Sequence, residues 1–242
     1  MILAAGLGSR MRPLTDHCPK PLLPVAGKPL IVHHIEKLVA LGITDIVINH
    51  AYLGYMIEEA LGDGTQFGCS IHYSPEEKAL ETGGGIVNAL SLLQPLSQEK
   101  EVDKNAPFLL VNGDVWLDWD KIVLPTEILG LCHLWLVKNP EHNPDGDFVL
   151  TPSLAVVDKA SKEKGSHEQD SQENEAFTFS GISLLTPALF ENAPSGAFPL
   201  APLLRQAMSN NQASGELYSG DWIDVGTPER LQQVEKLVRA RN

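Results

Sequence analysis

Short, continuous apolar runs alternate along the chain with segments whose apolar side chains recur every three or four positions. Residues 1–5 (M-I-L-A-A), 45–49 (D-I-V-I-N), 71–74 and 107–112 (P-F-L-L-V-N) predict buried strands. Between the first two, a helix opens at Pro29, carries Ile31, Ile35 and Leu38 on one face, and is closed by Gly42. A shorter helix fits 54–61, and another follows Gly83-Gly84-Gly85 as far as Leu93. Further strands fit 133–137, 148–150, 177–183 and 222–225, and further helices 202–208 and 228–241. Strands that alternate with helices predict an α/β fold: a mixed, mainly parallel sheet flanked by helices.

Two stretches break this rhythm. Residues 6–28 hold Pro13, Pro19, Pro21 and Pro24 with Gly6, Gly8 and Gly27, which rules out a regular helix. Residues 158–175 contain a single apolar side chain, Ala160, and cannot repay their ordering entropy by burial. They read as a mobile surface insertion within one domain spanning 1–242.

Composition narrows the function classes. A net charge of −13 argues against general binding of nucleic acid or an anionic membrane. No apolar run approaches the ~20 residues of a membrane span. The first residues run straight into glycines rather than forming a secretory leader, so the expected location is cytoplasmic. Cys18, Cys69 and Cys132 are far apart, which fits neither a disulfide framework nor a zinc site. Against the acidic background, residues 1–28 hold Arg10, Arg12, Lys20 and Lys28 but only one acid, Asp16. That local excess of cations marks the stretch for chemistry.

A strand ending in A-A-G-L-G-S-R lets main-chain N–H groups approach a phosphate chain, here Ala5, Gly6, Gly8 and Ser9. A dinucleotide fingerprint does not fit: its third glycine would fall at Met11, and Arg12-Pro13 stops the helix it requires. No G-K-[ST] appears, so the Walker loop is absent too. Arg10 and Lys20 can bracket a triphosphate, and Lys20 lies between Pro19 and Pro21, whose restricted backbone pre-aims it. Asn112-Gly113-Asp114 and Asp224-Val225-Gly226 each follow an apolar strand. Taken singly, both fit ordinary turns. Taken together, two carboxylates at strand ends suit Mg²⁺, with phosphates and water completing its shell. The Thr82–Gly85 segment fits either a plain helix entry or a main-chain contact with a base. No Ser-His-Asp or Cys-His set stands out.

Residues 3–31 (L-A-A-G-L-G-S-R-M-R-P-L-T-D-H-C-P-K-P-L-L-P-V-A-G-K-P-L-I) resemble the signature of the sugar 1-phosphate nucleotidyltransferases. The likeness extends through 81–85, 112–114, 179–182 and 222–227. The phrases L-E-T-G-G-G-I, L-L-V-N-G-D-V-W, F-S-G-I-S and L-A-P-L-L-R-Q-A are similar to the uridylyltransferase branch that serves peptidoglycan recycling. The resemblance implies a Rossmann-like (GT-A-like) nucleotidyltransferase fold with a small sugar-binding excursion. It also implies Mg²⁺ as cofactor, UTP as donor, and a sugar 1-phosphate, N-acetylmuramate 1-phosphate, as acceptor. By the same likeness Ala5, Gly6, Gly8, Ser9, Arg10, Lys20, Gly83 and Asn112 hold the nucleotide, while Asp114 and Asp224 hold the metal. Arg10, Lys20 and Asp114 carry the catalysis. Asn112, Val115, Gly146, Asp147, Ser180 and Gly181 face the sugar.

Departures are also visible. Many relatives carry an E-K-P stretch whose lysine touches the sugar phosphate; here that region is the polar insertion, and the sequence assigns the role to none of Lys159, Lys162 or Lys164. Ending at Asn242, the sequence is not expected to carry the left-handed β-helix that gives some relatives an acetyltransferase activity. Arg205 is a candidate partner for the muramate carboxylate. Guanylyl transfer to mannose 1-phosphate, thymidylyl transfer to glucose 1-phosphate, and a non-catalytic nucleotide-binding regulator remain as alternatives.

Overall fold

The computed structural model describes residues 1–93, 105–162 and 175–241. Its strands are β1 (Ile2–Leu3), β2 (Pro24–Val25), β3 (Lys28–Pro29), β4 (Asp45–His50), β5 (Ser70–Pro75), β6 (Phe108–Asn112), β7 (Val115–Leu117), β8 (Cys132–Val137), β9 (Phe148–Leu150), β10 (Val156–Asp158), β11 (Ala176–Leu185), β12 (Ala213–Leu217) and β13 (Trp222–Asp224). The helices are α1 (Leu30–Ala40), α2 (Gly54–Leu61), α3 (Glu81–Leu93), α4 (Lys159–Lys162), α5 (Ala201–Ser209) and α6 (Pro228–Arg241).

A nine-stranded sheet runs β10-β9-β11-β6-β1-β4-β5, with β8 on β11 and β12 on β8. The β6-β1-β4-β5 half is parallel, and β11 joins it antiparallel to β6. Alternation along the strands sends side chains to two cores. Ile2, Ile48 and Val111 pack with Ile31, Ile35 and Leu38 of α1 and Ile57 and Leu61 of α2. Met1, Val47 and Leu110 pack on the opposite side with Ile86 and Ala89 of α3 and Leu203, Leu204 and Ala207 of α5. The fold is thus a mixed sheet flanked by helices, the class the sequence predicts.

A third apolar knot joins parts remote in sequence: Met11, Leu23, Val25 and Leu30 close on Trp116, Val225, Leu231 and Val234. It locks the 6–28 segment to the β7–β13 ribbon and to α6. Burying one such side chain contributes about 1.5–3 kcal/mol, so the knot holds that segment firmly with little regular structure.

Several expectations change at the boundaries. β1 stops at Leu3 because the Ala4 N–H leaves the ladder for the Asn49 side chain. The 6–28 segment forms no α-helix, but it does make 3₁₀ turns at Ser9–Met11 and Lys20–Leu22 and the small β2–β3 hairpin. α3 begins at Glu81, so the three glycines lie inside it rather than before it. The sequence pattern did not reveal β7, β10 or β12. Asp158 closes β10 and Lys159–Lys162 form α4, so the 158–175 insertion begins with regular structure. Its residues 163–174 lie outside the described residues.

Candidate active site

Leu3 is in register with Asn49 on one side and Asn112 on the other, so three parallel strands end together. Their carboxyl ends open a cleft of about 450 Å³. Ala5, Gly6, Gly8, Ser9, Arg10, Lys20, Asn112 and Asp114 line it, with Asn49, Glu81, Thr82 and Gly226.

The loop after β1 is built for close approach. Gly8 has φ +62°, and its carbonyl accepts from the Met11 N–H and the Thr15 hydroxyl, both at 2.8 Å. A Cβ on Gly8 would lie 3.0 Å from Thr15 Cγ2 and 3.2 Å from Lys20 Cβ, so glycine lets the turn and the lysine pack together. Met11 anchors the turn in the apolar knot, leaving Ser9 and Arg10 exposed at the cleft. Arg10 has no carboxylate partner among the described residues.

Behind the loop runs a buried polar relay. The Ala4 N–H donates to Asn49 Oδ1 at 2.9 Å, and Asn49 Nδ2 donates to Glu76 Oε1 at 2.7 Å. The second oxygen of Glu76 accepts the Leu80 N–H at 2.8 Å. The relay ties the glycine loop to the segment that enters α3 at Glu81, whose φ is +59°.

Lys20 is buried, and its ammonium lies 2.8 Å from Asp114 Oδ2. Asp114 precedes β7, which pairs antiparallel with β13 so that Asp224 stands opposite Val115. The Val225 N–H donates to the Asp114 carbonyl at 2.8 Å. The two aspartates are therefore close neighbours on one ribbon. Asp224 Oδ2 accepts from Arg230 Nη1 at 2.8 Å and lies 3.3 Å from His142 Nε2. Each carboxylate is thus matched by a protein cation. No group of three or more His, Cys, Asp or Glu side chains converges among the described residues. Two adjacent aspartates with exchangeable counter-charges fit a hard divalent ion that draws its other ligands from phosphate and water.

Other predicted residues are engaged elsewhere. The Gly83 N–H donates to Phe198 O at 2.9 Å, and a Cβ there would strike the Phe198 ring at 2.3 Å. Gly83 is a packing glycine, and its amide is already used. A Cβ on Gly84 would meet Gly196 O at 2.2 Å, and one on Gly85 would meet Glu76 Oε1 at 2.6 Å. Val115 is buried in the core. Ser180 and Gly181 lie at a register shift in β11, where the Gly181 backbone (φ +83°) leaves room for the Asn112 side chain. Ser180 Oγ accepts the Ile182 N–H, and Ser180 O accepts from Trp222 Nε1. The Asp147 carboxylate accepts from the Phe179 N–H at 2.8 Å and from Asn143 Nδ2 at 3.2 Å, which fixes the excursion rather than opening toward the cleft. Gly146 (φ +61°) packs on Ala176, and its carbonyl accepts from Lys159 at 3.0 Å. Arg205 pairs with Asp158 at 3.2 Å and covers the Phe148 ring.

Sequence reasoning missed Asn49, Glu76, Arg230 and His142. Asn49 ends the apolar run D-I-V-I-N as Asn112 ends L-L-V-N, a parallel that would have exposed it. Nothing local singles out the other three. Cys132 is buried, and burial pushes its thiol up to about 12, so it has no nucleophilic part here.

A glycine loop, two cations and paired aspartates at the strand ends define a class of protein that handles phosphorylated nucleotides. The nucleotidyl transferase family pattern matches residues 1–123, and the chain belongs to that family. It is 47% identical to an N-acetylmuramate alpha-1-phosphate uridylyltransferase of Neisseria meningitidis serogroup B, over 99% of this chain and 98% of that protein. A protein of the same description from Caulobacter vibrioides is 32% identical, over 95% of this chain and 92% of its own. Among solved structures, one from Bacillus anthracis described as a glucose-1-phosphate thymidylyltransferase superposes with a TM-score of 0.75 at 22% identity, covering 100% and 95% of the two chains. No helix among the described residues is long and apolar enough to cross a membrane.

Proposed function

We propose that this protein transfers a uridylyl group from UTP to N-acetylmuramate 1-phosphate, releasing pyrophosphate. The observation that carries the reading is the meeting of the Gly6–Arg10 loop, Lys20 and Asp114 in one cleft. The substrate pair is supported by the 47% identity to a relative named for that reaction.

In this reading a phosphate oxygen of the sugar 1-phosphate attacks the α-phosphorus in line. An O–P bond forms there as the bond to the β-phosphate oxygen breaks. The attacking monoester is largely ionised at neutral pH, with its second pKa near ~6, so no general base is required. The difficulty is repulsion between anions, and cations with fixed positions must supply the rate. Main-chain amides of Ala5, Gly6, Gly8 and Ser9 cradle the triphosphate, and Arg10 takes the departing pyrophosphate with forked hydrogen bonds. Lys20, aimed by its flanking prolines, draws the α-phosphate toward the acceptor. Asn112 lies between base and sugar. Asp114 and Asp224 would hold Mg²⁺, which when bound offsets charge at the α-phosphorus.

Pyrophosphate release from each of four nucleoside triphosphates, paired with several sugar 1-phosphates, tests the proposal. UTP with N-acetylmuramate 1-phosphate is expected to react fastest. Faster turnover of GTP with mannose 1-phosphate, or of dTTP with glucose 1-phosphate, would replace the substrate pair. Nucleotide binding without release for any sugar would mark a regulator.

A further inference from the structure

Arg230 lies in the first turn of α6, and its guanidinium is matched to Asp224 at 2.8 Å. The side chain is only 17% exposed. Besides Asp224 it meets the His142 ring, at 3.1 Å to Nε2 and 3.3 Å to Nδ1. Gly226, a wall residue of the cleft, lies against it: a Cβ there would be 2.7 Å from Arg230 Nη2 and 3.0 Å from Asp224 Oδ1. The guanidinium thus packs against the far side of Gly226, behind the cleft wall.

We propose that Arg230 is a substrate-binding residue that receives the phosphate monoester of the acceptor. The inference rests on the transferase reading and extends it to a residue outside the glycine loop. In the structure Lys20 balances Asp114 and Arg230 balances Asp224. A divalent ion bound to both carboxylates takes over that counter-charge and leaves two largely buried cations without it. An unpaired buried charge is strongly unfavourable, so both cations are driven toward anions that arrive with the ion.

Lys20 shares the cleft wall with Arg10 and the glycine loop, which suits it to the triphosphate. Among the described residues Arg230 makes no hydrogen bond or ion pair with that loop. Its neighbours are β13 and His142, from the β8–β9 connection that also carries Gly146 and Asp147. Two anions enter the site, and the second remains for the second cation. The planar fork of a guanidinium matches two oxygens of one phosphate, which a lysine at this place would not.

The test compares wild type, Arg230→Gln and Arg230→Lys. Affinity for Mn²⁺ alone is read by electron paramagnetic resonance, and KM is read separately for each substrate. Arg230→Gln is expected to tighten Mn²⁺ at least threefold, because Asp224 loses its competitor. It is also expected to raise KM for the sugar 1-phosphate by about tenfold or more, the size of one lost charge-assisted hydrogen bond, with KM for UTP within twofold. Arg230→Lys should fall between the two proteins. Unchanged KM for the sugar phosphate with only a lower melting temperature would make Arg230 a structural residue and overturn the proposal, as would equal losses on both substrates. Should wild type release no pyrophosphate with any sugar phosphate, the transferase reading fails. The Mn²⁺ arm still decides then: unchanged or weaker binding in Arg230→Gln removes the exchange on which this inference depends.

Discussion

Lys20 and Asp114 are separated by 94 positions in the chain, and their side chains meet at 2.8 Å beside the cleft. The contact joins the two halves of the site. Lys20 belongs to the proline-bound cationic segment, whereas Asp114 belongs to the ribbon that also bears Asp224. The apolar knot of Met11, Leu23, Trp116 and Val225 sets their distance, since it packs segment and ribbon against each other. In the proposed reading, the phosphate-binding Lys20 and the metal-binding Asp114 and Asp224 are thereby packed together.

Replacing Lys20 with Ala is expected to lower kcat/KM for both substrates by about two decades, the scale of losing one charged donor to a transferring phosphate. Steady-state kinetics with each substrate varied in turn provides the check. An effect on neither would remove Lys20 from the reaction.

Asp114→Ala is expected to lower turnover by on the order of three decades, because a bound metal contributes several kcal/mol and ~1.4 kcal/mol is one decade. Turnover within threefold of wild type would show that the carboxylate is dispensable.

The Asn49–Glu76 relay should be a stability element. Glu76→Ala leaves the buried Asn49 amide and the Leu80 N–H without an acceptor. The expected loss is about 1–3 kcal/mol for each stranded donor. Denaturant unfolding measures it, and a change under 0.5 kcal/mol, the range of an ordinary surface substitution at roughly ±0.5 kcal/mol, would refute it.

His34 gives a pH signature. It is 1% exposed, and burial lowers its pKa from 6.5 to about 4. Its ring suits the neutral form: Nδ1 accepts from Trp119 Nε1 at 3.3 Å, and Nε2 donates to Val115 O at 2.8 Å. Between pH 6.5 and about 4 the unfolded chain binds a proton that the folded chain refuses, so stability falls as pH drops through that window. The loss amounts to about 3 kcal/mol at one decade per unit. Unfolding free energies of wild type and His34→Gln at pH 7.5 and 4.5 isolate this group. The difference between the two proteins should shrink at the lower pH, and a constant difference would contradict the assignment.

The cationic segment was legible because proline and glycine act locally. Lys20 between Pro19 and Pro21, and the turn at Gly8, follow from backbone restriction that needs no tertiary context. Asp114 was legible as the end of an apolar strand. Gly83, Gly84 and Gly85 misled because a run of glycines reads as a flexible entry, whereas here each removes a clash with Phe198, Gly196 or Glu76 from a packed helix. Strand β12 was hidden because A-S-G-E-L lacks β-branched residues and is held by its pairing with β8. Arg230 was not singled out because only the folded turn from β13 into α6 brings its guanidinium, six positions on, back to Asp224.

The most direct test of the account counts the divalent ion. With UTP present, Mn²⁺ titration followed by electron paramagnetic resonance should show one tight site in wild type. That site should weaken at least tenfold in both Asp114→Asn and Asp224→Asn. Retention of wild-type affinity in either variant would contradict a metal shared between the two aspartates.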